Sequence, residues 1–201
     1  MASIWYYHNS LHKLAIFLIH GGGYNKRFVR ISNMIGKKKS VLDLGCGTCI
    51  LSKFLDRTNF YEGWDLNENF VDYNKKRGIN VKLKDCFEYK GRPKFDYIVL
   101  SDILHHLSIK KRDILLRNCI IHAKEKVIVI EPFIDKKHKI YWSLVRLRKL
   151  SGIEKIFGDY DGINKEQDSY IILDKSNLIR FLKRYGKFKF YEEGKSLIAI
   201  Y

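Results

Sequence analysis

The run Asp43-Leu44-Gly45-Cys46-Gly47-Thr48 joins an apolar, strand-like stretch to one with helical spacing. Glycines in such a junction let the backbone pass close to a ligand, and a helix start offers unpaired N–H groups. A second carboxylate, Asp65, ends the next strand-like run about twenty positions on, where it can take both hydroxyls of a ribose. A third, Asp85, ends the run after that. In a parallel sheet such strand ends share one edge, so the three acids can line a single crevice. His105 and His106 follow a fourth apolar run at the same edge. Histidine titrates near neutrality, which makes this pair the first candidates for a catalytic base, ahead of Glu131 and Asp102. Each residue also has a structural reading: Asp43 as a turn cap, Asp65 and Asp85 as solvated strand ends, one histidine as a helix cap and the other as packing. A shared spacing that serves one ligand favours function.

The elements that position these residues alternate between strand and helix patterns, the mark of parallel β-α-β construction. Strands are expected at 39–44, 60–65, 79–83, 95–100 and 127–130. Between them, 48–57 carries Ile50, Leu51, Phe54 and Leu55 at helical spacing, and 67–77 is a polar helix closed by Gly78. Ser108 caps a third helix to about residue 123, with Ile114, Leu115 and Ile121 on its inner side. A last helix, 174–184, stops at Gly186, and 187–192 with 196–201 reads as a hairpin across Glu193-Gly194. The expected architecture is an α/β, doubly wound, Rossmann-like sheet of seven strands, mainly parallel, with an antiparallel C-terminal hairpin. Two segments stand outside it. Residues 1–36 form a helical cap around Gly21-Gly22-Gly23, and 133–172 an insertion or lid between the fifth strand and the last helix.

Length and composition fit one domain over residues 1–201 with a core that needs no disulfide staples. Cys46, Cys49, Cys86 and Cys119 are read as reduced; Cys46 and Cys49 form a C-x-x-C, but no further ligands stand at zinc-finger spacing, so no metal is expected. The apolar stretch 14–19 is too short to span a bilayer, and no export signal is recognised, so the expected compartment is the cytoplasm. A formal charge of +16 suits an anionic partner, RNA or an anionic membrane surface, or reflects lysines scattered over solvated faces. The basic amphipathic stretch 140–150 is either a peripheral membrane anchor or a helix lying on the domain's own core.

Taken together, Val41 to Thr48, Tyr61 to Leu66, Lys84 to Phe87 and Phe95 to Leu107 resemble the first four motifs of class I S-adenosylmethionine-dependent methyltransferases. The fourth has the form common among small-molecule and quinone-type enzymes, and Val127 to Pro132 is similar to the fifth strand. The resemblance implies S-adenosyl-L-methionine as cofactor. It implies Gly45, Cys46 and Gly47 at the methionine part, with Asp43 near the ammonium group. Asp65 is implied on the ribose, Leu66 against the adenine, Asp85 on the adenine amine with the Cys86 backbone N–H facing the ring, and Ser101 beside the cofactor. The family often has a third glycine where this chain has Cys49. A small-molecule or lipid-like acceptor follows. An RNA methyltransferase and a non-catalytic cofactor-binding subunit are the alternatives, although Ser101-Asp102-Ile103-Leu104 lacks the Pro-Pro-aromatic form used on base amines. His20-Gly21-Gly22-Gly23 is no esterase loop, since the chain has no G-x-S-x-G elbow, and no phosphate-binding G-x-x-x-x-G-K-[ST] occurs.

Overall fold

The structure, a computed structural model, describes residues 24–90, 92–133 and 174–201. The chain enters through α1 (Lys26–Ile35) and then alternates: β1 (Ser40–Leu44), β2 (Phe60–Asp65), α2 (Glu68–Lys75), β3 (Val81–Leu83), β4 (Phe95–Ser101), α3 (Ile109–His122) and β5 (Ala123–Pro132). After α4 (Lys175–Lys183) it closes with β6 (Lys189–Glu193) and β7 (Ser196–Ile200). The seven strands pair in the order β3-β2-β1-β4-β5-β7-β6. The β1–β2, β1–β4, β2–β3 and β4–β5 pairs are parallel, whereas β7 runs antiparallel to both β5 and β6. Strand order reverses between β1 and β4, and in open α/β sheets the crevice outside the carboxyl ends at such a switch point is where ligands bind.

The period-two alternation of the strands sorts their side chains between two apolar layers. Leu42, Leu44, Ile98, Leu100, Val127 and Val129 pack with Leu115, Leu116 and Cys119 of α3 and Leu178 and Leu182 of α4. On the other face Val41, Tyr97, Val99, Ile128 and Ile130 pack with Phe28, Ile31 and Ile35 of α1. Each fully buried aliphatic side chain stabilises the fold by roughly 1.5–3 kcal/mol, so the two layers anchor the central strands most firmly.

The seven-stranded, doubly wound architecture agrees with the expectation, and three details differ. The helix expected over 48–57 is a single 3-10 turn, Leu51–Lys53. Cys49 takes a left-handed φ of 51°, which interrupts any helix begun at Thr48, and Ser52 Oγ donates back to the Cys49 carbonyl at 2.7 Å. The inner side of α3 is Arg112, Leu115, Leu116 and Cys119, while Ile114 and Ile121 are exposed. Arg112 turns inward because its Nε donates to the Leu104 carbonyl at 2.7 Å. The fifth strand is also longer than expected, starting at Ala123 directly after α3. Residues 1–23 of the N-terminal cap, with Gly21 to Gly23, the insertion from 134 to 172, and its basic stretch 140–150 lie outside the described residues.

Candidate functional site

The glycine turn after β1 is stitched to β2 by backbone and side chain together. The Gly45 and Cys46 N–H groups both donate to the Trp64 carbonyl, at 2.8 and 3.0 Å. Gly47 N–H donates to Asp65 Oδ2 at 2.7 Å, and Asn67 N–H to Asp65 Oδ1 at 2.8 Å. From α2, the fully buried Asn74 donates its Nδ2 to the Gly47 carbonyl at 2.7 Å. Asp65 is therefore a buried hinge between the turn and the loop after β2. Burial raises its pKa, and the backbone N–H groups of Asn67 and Gly47 oppose the rise.

Asp43 is more deeply enclosed. Its Oδ2 accepts from the Tyr61 hydroxyl at 2.8 Å, and its Oδ1 is buried with no hydrogen-bond partner among the described residues. Burial pushes its carboxyl from 3.8 up to about 7; the Tyr61 bond lowers it, and the charges of Asp65 and Asp102 raise it further.

The two turn glycines serve different purposes. Gly45 has φ +70°, and a Cβ there would meet Ile103 Cδ1 at 2.6 Å, so this glycine admits a neighbouring side chain rather than leaving open space. Gly47 has φ +52° and nothing within 4 Å of a Cβ position; here the backbone is open to close approach.

Asp85 behaves as a cap. It begins the 3-10 turn Cys86–Glu88, accepting from Phe87 N–H at 3.0 Å, while Glu88 Oε1 accepts from the Asp85 N–H at 3.0 Å. Cys86 is buried beneath it. Leu66, directly after β2, and Leu83, at the end of β3, are 53% and 46% exposed, and so present apolar surface at the carboxyl edge where the core rule would hide it. Ser101 ends β4, half-buried, next to Asp102.

After β4 the chain makes a tight polar cluster. Glu131, fully buried on β5, accepts the N–H groups of Ile103 and Leu104 on Oε1, at 3.0 and 2.7 Å. Its Oε2 pairs with His105 Nδ1 at 2.6 Å. Burial lowers the His105 pKa, but the Glu131 charge and hydrogen bond outweigh it, so the imidazole titrates above its ordinary 6.5. His106 behaves oppositely: burial, then the neighbouring His105, press it down to about 3. The two rings lie 3.9 Å apart. A base that protonates near pH 3 is too weak to collect a proton at neutrality, so His105 is the better candidate of the two.

Arg27 of α1 completes the cluster. Fully buried, it forks onto Asp102, with Nη1 at 2.8 Å from Oδ1 and Nη2 on Oδ2, while Nη1 also reaches Ser196 Oγ at 3.3 Å. Its guanidinium lies over the Tyr24 ring, 4.0 Å from the centroid.

Asp43, Gly47 and Asp65 thus join at one end of the sheet, and Ile103, touching the Gly45 position, brings the His105–Glu131 pair against the same turn. Asp85 and Leu66 stand further along that edge, after β3 and β2. Sequence reasoning missed Arg27 and Asn74, and it named Glu131 only as a weaker candidate base, not as the partner of His105. A buried arginine in an amphipathic helix carries no signal of its own, but Glu131, an acid at the end of an otherwise apolar strand, does.

Residues 41–126 match the family model described as a methyltransferase domain. The chain is 30% identical over 96 residues to trans-aconitate 2-methyltransferase of Mycobacterium ulcerans, covering 45% of this chain and 36% of that protein. It is 28% identical over 129 residues to ubiquinone biosynthesis O-methyltransferase of Coxiella burnetii, covering 60% of this chain and 52% of that protein. The chain therefore spans between about a third and a half of the length of these curated relatives. Among solved structures, a SAM-dependent methyltransferase from Archaeoglobus fulgidus superposes with a TM-score of 0.66 at 16% identity, covering 94% of this chain and 98% of that one, a likeness of fold.

Proposed function

We propose that the chain, whose residues 41–126 match a methyltransferase domain, is an S-adenosylmethionine-dependent enzyme of class I that methylates a small or lipid-like acceptor. The observation that carries this reading is the join at the carboxyl edge: the Gly47 N–H on the Asp65 carboxylate, beside a buried Asp43 oxygen with no partner among the described residues. An orphaned buried carboxylate oxygen costs stability unless an N–H donor meets it, and the cofactor's ammonium group is such a donor. Asp65 accepts a backbone N–H on each oxygen, from Gly47 and Asn67, and a carboxylate with its four acceptor sites is suited to take a ribose hydroxyl as well. Leu66 and Leu83 offer apolar contact for an adenine, Asp85 an acceptor for its amine, and the open Gly47 backbone a close approach for the methionine part.

When bound, S-adenosylmethionine supplies a methyl group already activated on a sulfonium, so the protein's task is chiefly to hold a nucleophile in line with it. A hydroxyl or carboxylic acid acceptor must also lose a proton. His105 is the residue suited to take it: Glu131 fixes one ring nitrogen and stabilises the imidazolium that results. Ile103 and Leu104 N–H groups hold the Glu131 carboxylate in turn. The names of the relatives, which act on trans-aconitate and in ubiquinone biosynthesis, support a small-molecule acceptor. Among the described residues no helix is long and apolar enough to cross a membrane.

The test has two arms. Calorimetry with S-adenosylhomocysteine is expected to show micromolar-class binding by the intact chain and a loss of at least about tenfold in Asp65→Ala, as hydrogen bonds to a charged acceptor disappear. Unchanged affinity in that variant would contradict the assignment. Transfer of labelled methyl groups to fractions of cell extract then identifies the acceptor. His105→Gln should depress transfer while leaving cofactor affinity intact.

A further inference from the structure

We infer that Cys46 and Cys49 are a modification site, a dithiol that small organic disulfides convert to an internal disulfide, thereby withdrawing the glycine turn from cofactor binding. The link itself follows from local geometry; its consequence rests on the function proposed above. The Cys49 N–H donates to the Cys46 carbonyl at 2.8 Å, closing one tight turn. Such a turn keeps its first and last Cα atoms within about 7 Å, the range that disulfides span. The side chains use that proximity, for Cys49 Sγ donates to Cys46 Sγ at 3.3 Å. Forming the bond requires the sulfurs to close by roughly 1.3 Å, to the ordinary S–S length of about 2.05 Å.

The surroundings keep the sulfurs facing each other. Cys46 Sγ occupies space that exists only because residue 63 of β2 is glycine; a Cβ there would sit 2.7 Å from the sulfur. Cys49 is fully buried against Val71 and Val81, whereas Cys46 is only half-buried. That difference sets the order of reaction. Cys46 loses its proton and attacks one sulfur of a small disulfide such as oxidised glutathione. The reagent's S–S bond breaks, one small thiolate leaves and takes up a proton, and a mixed disulfide remains on Cys46. Cys49 then loses its proton and attacks Cys46 Sγ. The internal bond forms, the mixed disulfide breaks, and the second small thiolate departs and is protonated. Two protein thiols are oxidised and one external disulfide is reduced to two thiols.

The turn cannot absorb the closure unnoticed. Cys46 lies between Gly45 and Gly47, its own N–H tied to the Trp64 carbonyl and the adjoining link running from Gly47 N–H to Asp65. Drawing the sulfurs together moves the Cys46–Gly47 peptide and with it the Asp65 carboxylate. The Cys49 thiol bonded to it, and then burial, hold the Cys46 pKa well above its ordinary value, so the reaction is slow at neutral pH and quickens as pH rises.

The experiment uses the full chain incubated with oxidised glutathione, quenched with an alkylating reagent, and followed by intact mass, peptide mapping and calorimetry with S-adenosylhomocysteine. The expected result is a loss of two hydrogens mapped to a Cys46–Cys49 link, at least about tenfold weaker binding, and full recovery on reduction with dithiothreitol. Cys49→Ser should show no such mass loss. Both thiols remaining open to alkylation after denaturation would overturn the proposal, as would a link elsewhere or a linked turn with undiminished affinity. A reduced chain that binds no S-adenosylhomocysteine would instead defeat the methyltransferase reading, and the mass and mapping data would still decide the dithiol.

Discussion

Asp43 answers two opposing demands. Without a ligand, its carboxyl is buried with one oxygen unpartnered among the described residues, and burial lifts its pKa from 3.8 to about 7. The folded chain therefore holds this proton more tightly than the unfolded chain does. The stability that goes with it is fully present below about pH 4 and is lost as pH rises through about 7. An asparagine side chain at this position would be neutral throughout. In the absence of cofactor, Asp43→Asn is expected to raise the melting temperature at pH 8, with the advantage over the natural chain shrinking toward pH 5. The same variant should bind S-adenosylhomocysteine more weakly, because in the function proposed above the charge that is costly to bury is the one that meets an ammonium group. Thermal unfolding at the two pH values, beside calorimetry at pH 8, checks both halves; a variant less stable at pH 8 would refute the account. Asp43 and Asp65 could be picked out of the sequence by their spacing at the ends of successive strands, and the structure buries both at the carboxyl edge of the sheet. Asp85 was legible in position, but its capping role came from Glu88, three residues on, whose reciprocal bond no spacing argument about ligands brings to notice.

Arg27 links elements that are distant in sequence. It fastens α1 to the end of β4 through Asp102 and touches β7 through Ser196, all from a fully buried position. Asp102 holds a left-handed φ of 56° and donates its N–H to the Ile130 carbonyl at 2.8 Å, so the clamp also fixes the bend from which His105 departs. The Arg27 side chain is fully enclosed and that of Asp102 is 25% exposed, so the pair is only partly desolvated. Arg27→Met is therefore expected to destabilise the chain by about 1–3 kcal/mol, and the double variant with Asp102→Asn to recover part of that loss. Urea denaturation of the set measures it; an Arg27→Met change below about 1 kcal/mol would show that the pair is not a clamp. None of this was readable beforehand, since partners 75 positions apart leave no local pattern. The helix expected at 48–57 failed for the reverse reason. Ile50, Leu51, Phe54 and Leu55 have the right period, but the left-handed Cys49 ahead of them, at a position where glycine is common in the family, redirects the chain and allows only one 3-10 turn. On α3, Ile114 and Ile121 looked like core residues by type, yet the buried stripe runs through Arg112, whose bond to Leu104 turns the helix about its axis.

At the scale of the whole molecule, the strand order was legible because alternating β and α patterns leave few topologies, and right-handed crossovers prune those further. The charge was legible too, but not its consequence. With 38 lysines and arginines against 22 aspartates and glutamates, cationic side chains outnumber carboxylates by sixteen. The pairs seen at the surface, such as Arg117 with Asp113 and Lys37 with Asp56, are exposed ones that typically contribute between about 0 and 1 kcal/mol each. Net self-repulsion, which acts across the molecule, opposes the compact state and is screened over about 10 Å at 0.1 M salt. The balance predicts that added sodium chloride stabilises this chain: the melting temperature should rise between about 0.02 and 0.3 M salt, most steeply at the low end where the screening length changes fastest. A neutral osmolyte at equal osmolality separates screening from general exclusion, because it leaves the charges unscreened. A melting temperature that falls with sodium chloride would mean that the surface pairs together outweigh the repulsion, and that the lysines are arranged to attract rather than merely dispersed.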